Sequence, residues 1–483
     1  MSGETTSRFF RSAGAATFSQ AWRVGVTFGV TLFLRRLVPQ GDWGLWEWAV
    51  VVFLIFGALR DLGLVYHVVR LKERPYGNLL VLEAGWGAAL AGVVFVAAPW
   101  IGLAFKDAHP DKIAVLRALC LFLFFEGLAS VPRVYFENEL AIGRTVLPEI
   151  LRNLIFAATS VAMAFAGFGI WSLLTAQVVC TAYYAAHLWV RARPAMRLEF
   201  AAGGKGWGTW GLVRNSVPLA LIWFLVILTR YVDPLILGAQ FSKETVASYA
   251  YAYFVAFLIT TTLVPAVTRA LYPALVAYSD DPRRLLQAFR LATLFVLALE
   301  APIAFFLFAN PELTVRILGG RQWVDTPGFL EILCFAPLVD PFTRLGGEVL
   351  KVYHHDRLWI LSSSLTLLCF LAFGIAFTMH YGPVGMAWAN FLPLGGVLMA
   401  WGLWRIDATS FRELCRDIAI VYLIPVLPLL ALRFALPGSG ALRFGLSLAA
   451  MAAVFAIYAR LFGPLFVRFL RDPVEAVKSA GDA

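Results

Sequence analysis

Residues 31–53 read TLFLRRLVPQGDWGLWEWAVVVF and carry the pattern that decides the fold class. One apolar run ends at two arginines, a short polar stretch follows, and a second apolar run rich in tryptophan begins. Apolar runs of about 20 residues are long enough to cross the hydrocarbon core of a bilayer as helices. The stretch therefore predicts the end of one transmembrane helix and the start of the next.

Composition extends this prediction to the whole chain. Of the 483 residues, 60% are hydrophobic and only 14% are charged, and the mean hydropathy is +0.76. A soluble domain carries about 25% charged residues. Apolar runs recur from residue 16 to about residue 468, so we predict an all-α polytopic membrane protein with about fourteen transmembrane helices. The first run is too long for a cleaved secretory signal, so we expect it to remain as a span.

The predicted spans are separated by short polar stretches, and two pairs of them are separated only by tight turns that contain glycine, at residues 167–169 and 381–383. The fourteen spans are residues 16–38, 45–66, 76–100, 112–136, 144–166, 169–190, 211–237, 245–272, 285–308, 327–351, 357–379, 382–404, 415–436 and 441–466.

The basic residues predict the orientation of the helices. The chain has 40 Lys and Arg residues and a formal net charge of +10. No loop is long enough to hold a basic domain, so nucleic acid is not an expected partner. With a cytoplasmic N-terminus, most Lys and Arg residues fall in inner loops, as the positive-inside rule requires. We therefore predict that both termini are cytoplasmic.

The longest predicted inner connection separates two halves of the chain. It lies within residues 191–210, is rich in Gly and basic residues, and follows the sixth span. The segment PLILGAQFSKETVASYAYAYFVAF at 234–257 resembles the opening stretch weakly, as internal repeats of transporters do. The predicted organisation is an N-terminal lobe (1–190), a cytoplasmic linker (191–210), a C-terminal lobe (211–404), and two extra helices with a cytoplasmic tail (405–483).

Several loose motifs, mostly glycines and aromatic residues at turns, occur in a recognisable order. They are RLVPQGDWGLW at 36–46, DLGL at 61–64, GFGIWSLL at 167–174, RYVDPLILGAQF at 230–241 and GPVGMAWAN at 382–390. In this order the chain resembles the oligosaccharide flippase branch of the multidrug, oligosaccharidyl-lipid and polysaccharide exporter superfamily. One residue departs from the family pattern, because Trp46 stands where the family has tyrosine.

This resemblance implies two six-helix lobes around a central cavity, here followed by two C-terminal helices. It also implies alternating-access export of a lipid-linked oligosaccharide, usually carried on undecaprenyl pyrophosphate, across the inner membrane of a bacterium for lipopolysaccharide or exopolysaccharide biosynthesis. Membrane lipids, a glycan polymerase and glycosyltransferases are the further partners that we expect.

Four arginines lie inside predicted spans, in their cytoplasmic halves: Arg23, Arg60, Arg152 and Arg344. Arg23 and Arg152 lie seven to eight residues into their spans, roughly 10–12 Å from the inner boundary at 1.5 Å per residue. A guanidinium binds phosphate oxygens in a bidentate manner and keeps its charge. These residues are therefore candidates for a vestibule that binds pyrophosphate, the alternative being that they extend to the interface and reinforce topology.

Other charges inside spans are candidates for gating and ion coupling. Arg230 and Asp233 lie three residues apart on the seventh span, hence on one helical face. They either neutralise each other as an ion pair or exchange partners as a gate between two shapes of the cavity. Asp340, Arg344 and Glu348 repeat at four-residue spacing on the tenth span. Three carboxyl groups inside spans are candidates to bind the H⁺ or Na⁺ whose gradient drives transport, or to pair with arginines: Glu83, Glu126 and Glu300.

The sequence does not favour an enzyme. It contains no Walker loop, no HExxH motif and no CxxC motif, and its five cysteines are scattered along the chain. Neither a metal site nor a catalytic cofactor is therefore predicted. The pair His354–His355 falls in a basic inner turn. A lipid II-type or small-molecule exporter remains an alternative, as does a glycan polymerase, ligase or glycosyltransferase, although the predicted outer loops carry few catalytic groups.

Overall fold

The structure, a computed structural model, describes most of the chain and is helical throughout the part that it describes. The all-α class predicted from the hydropathy is therefore confirmed. The described residues are 22, 24–60, 76–107, 109–139, 143–200, 224–225, 227–353, 356–391, 394–436 and 440–471.

The chain divides into two compact units, Met1–Ala247 and Ser248–Ala483. The boundaries predicted for the lobes stay a prediction, and much of the predicted linker lies outside the described residues. The first unit contains a helical stretch at 227–231 and these helices: α1 (24–37), α2 (Gln40–Arg60), α3 (Tyr76–Leu103), α4 (Lys112–Asn138), α5 (Gly143–Phe165), α6 (Ile170–Ala192), α7 (Asp233–Gln240) and the first part of α8 (Lys243–Ala256).

Helices α3, α4 and α6 form the core of the first unit, and α5 packs on α6. One apolar cluster joins Leu79 of α3, Val134 of α4 and Leu188 of α6, all fully buried. Helix α2 contacts the chain just after the C-terminal end of α3, where the ring centroids of Trp48 and Phe105 are 5.0 Å apart. The backbone of α7 approaches the Trp48 ring so closely at Gly238 that only glycine fits, because a Cβ at this position would lie 2.6 Å from the ring.

The second unit begins within α8 and, in its described part, contains twelve further helices, one of them a short 3₁₀-helix. They are α9 (Leu258–Ala277), α10 (Pro282–Ala309), α11 (Pro311–Gly319), α12 (Thr326–Leu333), the 3₁₀-helix Ala336–Leu338, α13 (Asp340–Val352), α14 (Asp356–Tyr381), α15 (Pro383–Ala389), α16 (Leu394–Ile406), α17 (Ala408–Ala435), α18 (Gly440–Leu461) and α19 (Gly463–Arg471).

Helix α10 is the central helix of the second unit. About 78% of its most apolar window is buried, against 17% for α17 and for α18. It packs against α9, α13, α17 and α18, and its Phe289 and Ala292 lie fully buried in the main apolar cluster. The two C-terminal helices therefore belong to the packed body of this unit and do not form a separate appendage.

Ten of the described helices are long and apolar enough to cross a membrane. They correspond to ten of the fourteen predicted spans, and the first and seventh spans lie partly outside the described residues. Their outward faces are apolar: Trp100, Leu103, Leu427 and Phe434 are each at least 66% exposed. Such a surface is stable only against lipid or a partner, and the chain is a multi-pass membrane protein.

Three predicted spans are wrong as continuous helices. The tenth, 327–351, is divided into α12, the 3₁₀-helix and α13, because Pro337 and Pro341 lack the backbone N–H that a continuous helix requires. The twelfth, 382–404, is divided into α15 and α16. The eighth, 245–272, is divided at Phe257 into α8 and α9, which together exceed the length of one crossing.

The predicted outer loop at 309–326 is also corrected, because much of it is the helix α11. Pro311 begins this helix at a position where the missing N–H would have no intrahelical acceptor anyway. Gly320 ends it with a φ of 93°, a conformation that favours glycine. This segment therefore offers a fixed surface at the end of the second unit.

Both predicted glycine turns are present. Gly167 and Gly169, with φ of 81° and 55°, join α5 to α6, and Gly382, with φ of 66°, joins α14 to α15. Beside the first turn, the Asp42 carboxylate accepts a hydrogen bond from the Ile170 N–H at 2.9 Å. The carboxylate thereby satisfies one of the free N–H groups at the start of α6.

We predict that Gly169→Ala destabilises the protein by about 1–3 kcal/mol, because alanine is strained at this φ. The added Cβ would also lie 2.2 Å from Asp42 Oδ2. Thermal unfolding of the purified protein in detergent measures the loss. The matched control is Gly92→Ala in α3, where a Cβ meets nothing within 4 Å and alanine favours the helix. Equal unfolding temperatures for the two variants would contradict this account of the turn.

Candidate functional site

The most deeply buried ion pair of the first unit joins α2 to α3. Arg60 Nη1 lies 2.8 Å from Glu83 Oε2, and the two side chains are 8% and 1% exposed. Ser130 of α4 donates a hydrogen bond to the same carboxylate oxygen at 3.1 Å. Three helices are thus tied by one carboxylate, and breaking a pair of this kind leaves an uncompensated charge in an apolar environment.

Two glycines make room for this pair. A Cβ on Gly87 of α3 would lie 3.4 Å from Arg60 Cδ, and a Cβ on Gly127 of α4 would lie 2.9 Å from the Glu83 carbonyl oxygen. The stem of Arg60 therefore passes along surfaces that carry no side chain. This close fit fixes the position of the guanidinium group.

A second arginine of the first unit is held less tightly. Arg152 Nη1 lies 3.7 Å from Glu126 Oε2, and each side chain is 22% exposed. Arg152 Nη2 donates to Thr181 Oγ1 at 3.2 Å, and the guanidinium lies 5.0 Å from the Tyr184 ring centroid. The ion pair is too long for a hydrogen bond, so Glu126 holds Arg152 less tightly than Glu83 holds Arg60.

These residues belong to one electrostatic group, which we call the first-unit cluster: Arg60, Glu83, Glu126, Arg133 and Arg152. Glu126 interacts electrostatically with all three arginines, and Arg133 interacts with both glutamates. Arg133 also interacts with Glu137, one turn further along α4. With Glu137 included, positive and negative charges are equal in number. The sequence analysis had selected four of the five members and had missed Arg133.

In the second unit, Glu300 has a different environment from the other two candidate carboxyl groups. It is 3% exposed, and Thr260 donates a hydrogen bond to its Oε1 at 2.5 Å. Its Oε2 has no hydrogen-bond partner among the described residues. Glu83 and Glu126 each face an arginine, whereas no ion pair involving Glu300 is found within the described part of the chain.

The polar stripe of the predicted tenth span lies on α13. Arg344 Nε forms an ion pair with Asp340 at 2.5 Å, and its side chain is 32% exposed. Lys351 Nζ pairs with Glu348 at 2.8 Å. The opposite side of α13 is buried through Leu345 and Val349. Arg344 is thus paired within its own helix and remains partly accessible.

The remaining predicted residues are only partly described. Arg23 and the pair His354–His355 lie outside the described residues. Asp233 is 2% exposed, and the Arg230 guanidinium lies 5.8 Å from the Tyr231 ring centroid. Val232, between the two residues, has αR backbone angles. Its N–H donates to the Leu228 carbonyl and its carbonyl accepts from the Ile236 N–H, each at 3.2 Å, so the predicted pair or gate stays a prediction.

The sequence analysis missed the arginines that hold the C-terminal helices. Arg290 of α10 pairs with Asp417 and, at 2.5 Å, with Glu413 of α17. At the other end of α17, Arg433 pairs with Glu331, and Arg443 pairs with Glu312 at 3.3 Å. Arg290 and Asp417 both lie inside predicted spans, so a search for every charge inside a span would have found them.

Residues that could hold a metal are not brought together. No group of three or more His, Cys, Asp or Glu side chains suited to a metal ion occurs among the described residues. Three of the five cysteines, Cys120, Cys180 and Cys334, are buried and free. Most of the ion pairs described above instead join an arginine of one helix to a carboxylate of another.

The long apolar helices and the ion pairs among them define an all-helical polytopic membrane protein. Residues 33–327 match the family described as "Polysaccharide biosynthesis protein". The chain therefore belongs to that family, and the resemblance noted in the sequence is confirmed.

Two curated relatives and one solved structure are similar to the chain. The lipopolysaccharide biosynthesis protein WzxC of Escherichia coli (strain K12) is 22% identical over 329 residues, 66% of this chain and 64% of that protein. The succinoglycan biosynthesis transport protein ExoT of Rhizobium meliloti (strain 1021) is 22% identical over 420 residues, 83% and 81% of the two chains. The lipid II flippase MurJ has a TM-score of 0.70 at 14% identity, over 94% of this chain and 99% of its own.

We predict that Arg60→Met lowers the free energy of unfolding by about 3–5 kcal/mol, because the buried Glu83 carboxylate loses the guanidinium that lies 2.8 Å from it. The double variant Arg60→Met/Glu83→Gln should recover most of this loss, since no buried charge then remains unpaired. Unfolding of the purified variants in detergent measures the coupling. A double variant no more stable than Arg60→Met would show that the pair is not the source of the loss.

Proposed function

We propose that this chain is a flippase that moves a lipid-linked oligosaccharide, carried on undecaprenyl pyrophosphate, from the cytoplasmic to the outer leaflet by alternating access. The membership in a polysaccharide biosynthesis family supports the substrate class. The relatives WzxC and ExoT are named as lipopolysaccharide and succinoglycan biosynthesis proteins, ExoT as a transport protein. The observation that carries the proposal is the arginine-containing first-unit cluster inside apolar helices.

Pyrophosphate is the part of such a substrate that a membrane protein must hold most firmly. It carries its charge at the boundary between the lipid tail and the sugars, and a guanidinium binds phosphate oxygens through two parallel hydrogen bonds. An arginine inside a span is energetically unfavourable unless it has a partner or a function. The arginines of the cluster meet this requirement through glutamates, which an anionic substrate can replace.

Among the three predicted vestibule arginines that the structure describes, Arg60, Arg152 and Arg344, the contacts favour Arg152 as the residue that binds pyrophosphate. Arg60 is fixed by Glu83 at 2.8 Å and is nearly inaccessible, so we assign it to the architecture of the site. Arg152 is accessible and lies 3.7 Å from Glu126. Arg344 is accessible but pairs with Asp340 on its own helix, so the contacts favour it less than Arg152.

Glu126 then acts as an internal competitor for Arg152. While substrate is absent, its carboxylate compensates the guanidinium; when pyrophosphate arrives, the phosphate oxygens take the place of the carboxylate. Glu126 also faces Arg133 and Arg60, so it retains cationic neighbours after Arg152 changes partner. An exchange of this kind needs no unpaired charge in the membrane at either stage.

We propose Glu300 as the group that couples transport to an H⁺ gradient, with Na⁺ as the alternative ion. Taking up or releasing a proton at Glu300 breaks no ion pair among the described residues, whereas a proton on Glu83 or Glu126 would leave an arginine without its partner. Asp340 interacts electrostatically with Glu300. A change of charge at Glu300 therefore acts on the Asp340–Arg344 pair of α13.

The remaining parts of the proposal follow from the substrate and from the distribution of basic residues. The protein acts as a transporter and not as an enzyme, in the inner membrane of a bacterium, with both termini cytoplasmic. Glycosyltransferases supply the lipid-linked oligosaccharide on the cytoplasmic side, and a polymerase consumes it on the outer side. Membrane lipids surround the apolar outer faces of the helices.

We predict that Arg152→Gln reduces export of surface glycan by about ten- to a hundredfold, the loss expected for one charge-assisted contact to phosphate. Surface glycan and protein level are measured together in a strain that lacks the chromosomal gene and carries each variant on a plasmid. Arg117→Gln is the matched control, because Arg117 is an exposed arginine of α4 that donates to the Phe95 carbonyl at 3.4 Å. Full export by Arg152→Gln at normal protein level would refute the assignment.

A second prediction separates coupling from substrate binding. Glu300→Gln should remove the dependence of export on an imposed pH gradient and leave downhill movement of labelled lipid-linked oligosaccharide in proteoliposomes, because the glutamine keeps the bond from Thr260 but cannot take up a proton. Glu300→Asp should retain part of the dependence. The coupling assignment fails if Glu300→Gln responds to the gradient as the wild type does, and the flippase proposal then still stands.

A further inference from the structure

A cavity of about 540 Å³ opens at one end of the second unit, away from the residues assigned to transport. Its lining includes three arginines, one glutamate, an aromatic residue and the first residue of α18: Arg316, Arg433, Arg443, Glu312, Phe434 and Gly440. We call it the basic pocket. All of its lining residues belong to α11, to the end of α17 and to the start of α18, so it exists within one unit.

The pocket lies at the predicted outer boundary of the membrane. Helix α17 ends at Ala435 and α18 begins at Gly440, and both helices are long and apolar enough to cross a membrane, so these two helix ends lie at a membrane surface. The joint between α10 and α11, at Asn310, lies at the same end. Phosphate groups of the outer leaflet are found at this depth, next to the hydrocarbon core.

The arginines of the pocket have unused hydrogen-bonding groups. Arg443 is 8% exposed, and its Nε has no hydrogen-bond partner among the described residues. The same holds for Nη1 of Arg433, although Glu331 pairs with the other terminal nitrogen. A buried guanidinium nitrogen without an acceptor is unfavourable, and an anion in the cavity would supply the acceptor.

Glu312 is the internal counter-ion of the pocket. It lies 3.3 Å from Arg443 and 4.0 Å from Arg433, and its side chain is 59% exposed. One exposed carboxylate thus spans two arginines, and the described residues supply no ion pair for the third, Arg316. The lining therefore has an excess of positive charge. Glu312 holds the guanidinium groups of Arg433 and Arg443 in position, and it would compete for them with an anion that enters the pocket.

Two further features favour an anion. Gly440 is the first residue of the 22-residue helix α18, and the N-terminal end of a helix attracts negative charge through its free N–H groups and its dipole. Phe434 lines the pocket and is 74% exposed, which places an apolar surface beside the charges. A phosphate that carries an acyl chain matches both surfaces.

We propose that the basic pocket binds a phosphate ester, the phosphodiester of an anionic phospholipid of the outer leaflet, and thereby holds the C-terminal helices to α11. A free phosphate would use the same arginines but would gain nothing from Phe434. The site does not include the first-unit cluster, Arg344 or Glu300, so the proposal stands or falls independently of the flippase assignment.

The test measures thermal unfolding of the full chain in detergent during titration with phosphatidylglycerol, with phosphatidylethanolamine and with inorganic phosphate. Phosphatidylglycerol should raise the unfolding temperature of the wild type, and phosphatidylethanolamine should do so much less. Arg316→Ala/Arg443→Ala should bind phosphatidylglycerol about tenfold more weakly, the effect of losing roughly one charge-assisted contact. Arg321→Ala is the matched control, because Arg321 lies on the same segment, is exposed and does not line the cavity.

A second variant is expected to raise the affinity for phosphatidylglycerol, a result that misfolding of the variant could not produce. Glu312→Gln removes the competing carboxylate and should strengthen binding of phosphatidylglycerol about threefold or more. A response to inorganic phosphate equal to that of the lipid would support the anion site with free phosphate as its ligand. Equal affinity of the wild type and Arg316→Ala/Arg443→Ala for every probe would overturn the proposal, as would weaker binding by Glu312→Gln.

Discussion

A charge inside an apolar helix needs a partner of opposite charge, and in both units several of these partners lie on neighbouring helices. The Arg60–Glu83 pair closes α2 on α3 and, through Ser130, on α4. Arg290 does the same between α10 and α17 through Asp417 and Glu413. Apolar surface alone does not select between helices in lipid, since lipid tails are as apolar as the side chains. The ion pairs therefore determine in large part which helices pack against each other.

The ion pairs of the first unit differ in how firmly they hold, and in the proposed mechanism this difference separates the arginine that fixes the architecture from the arginine that binds substrate. Arg60 is fixed among glycines, whereas Arg152 has a long ion pair with Glu126 and a neutral contact with Thr181. A transporter must bind an anion and release it again, so a loosely held guanidinium suits the task better than a fixed one. Glu300, with Thr260 as its hydrogen-bond donor, can change its charge without disturbing either pair.

The sequence predicted what depends on local properties and missed what depends on partners. Hydropathy located the long helices, and Gly167, Gly169 and Gly382 marked turns that need a positive φ. Hydropathy averages over a window, so it did not detect the interruptions between α12 and α13. Partners lie far apart in sequence: Glu83 is 23 residues from Arg60, and Asp417 is 127 residues from Arg290. Spacing along one helix cannot reveal such pairs.

The turn between α5 and α6 also has a consequence for biogenesis. Residues 166–169 read AGFG and carry no charge. In the orientation predicted from the basic residues this turn lies on the outer side, so the segment that crosses the bilayer during insertion then contains no ionised group. Because so short a connection keeps α5 and α6 together, we expect the two helices to enter the membrane as one hairpin. Asp42, already synthesised, is then available to bind the Ile170 N–H as soon as α6 forms.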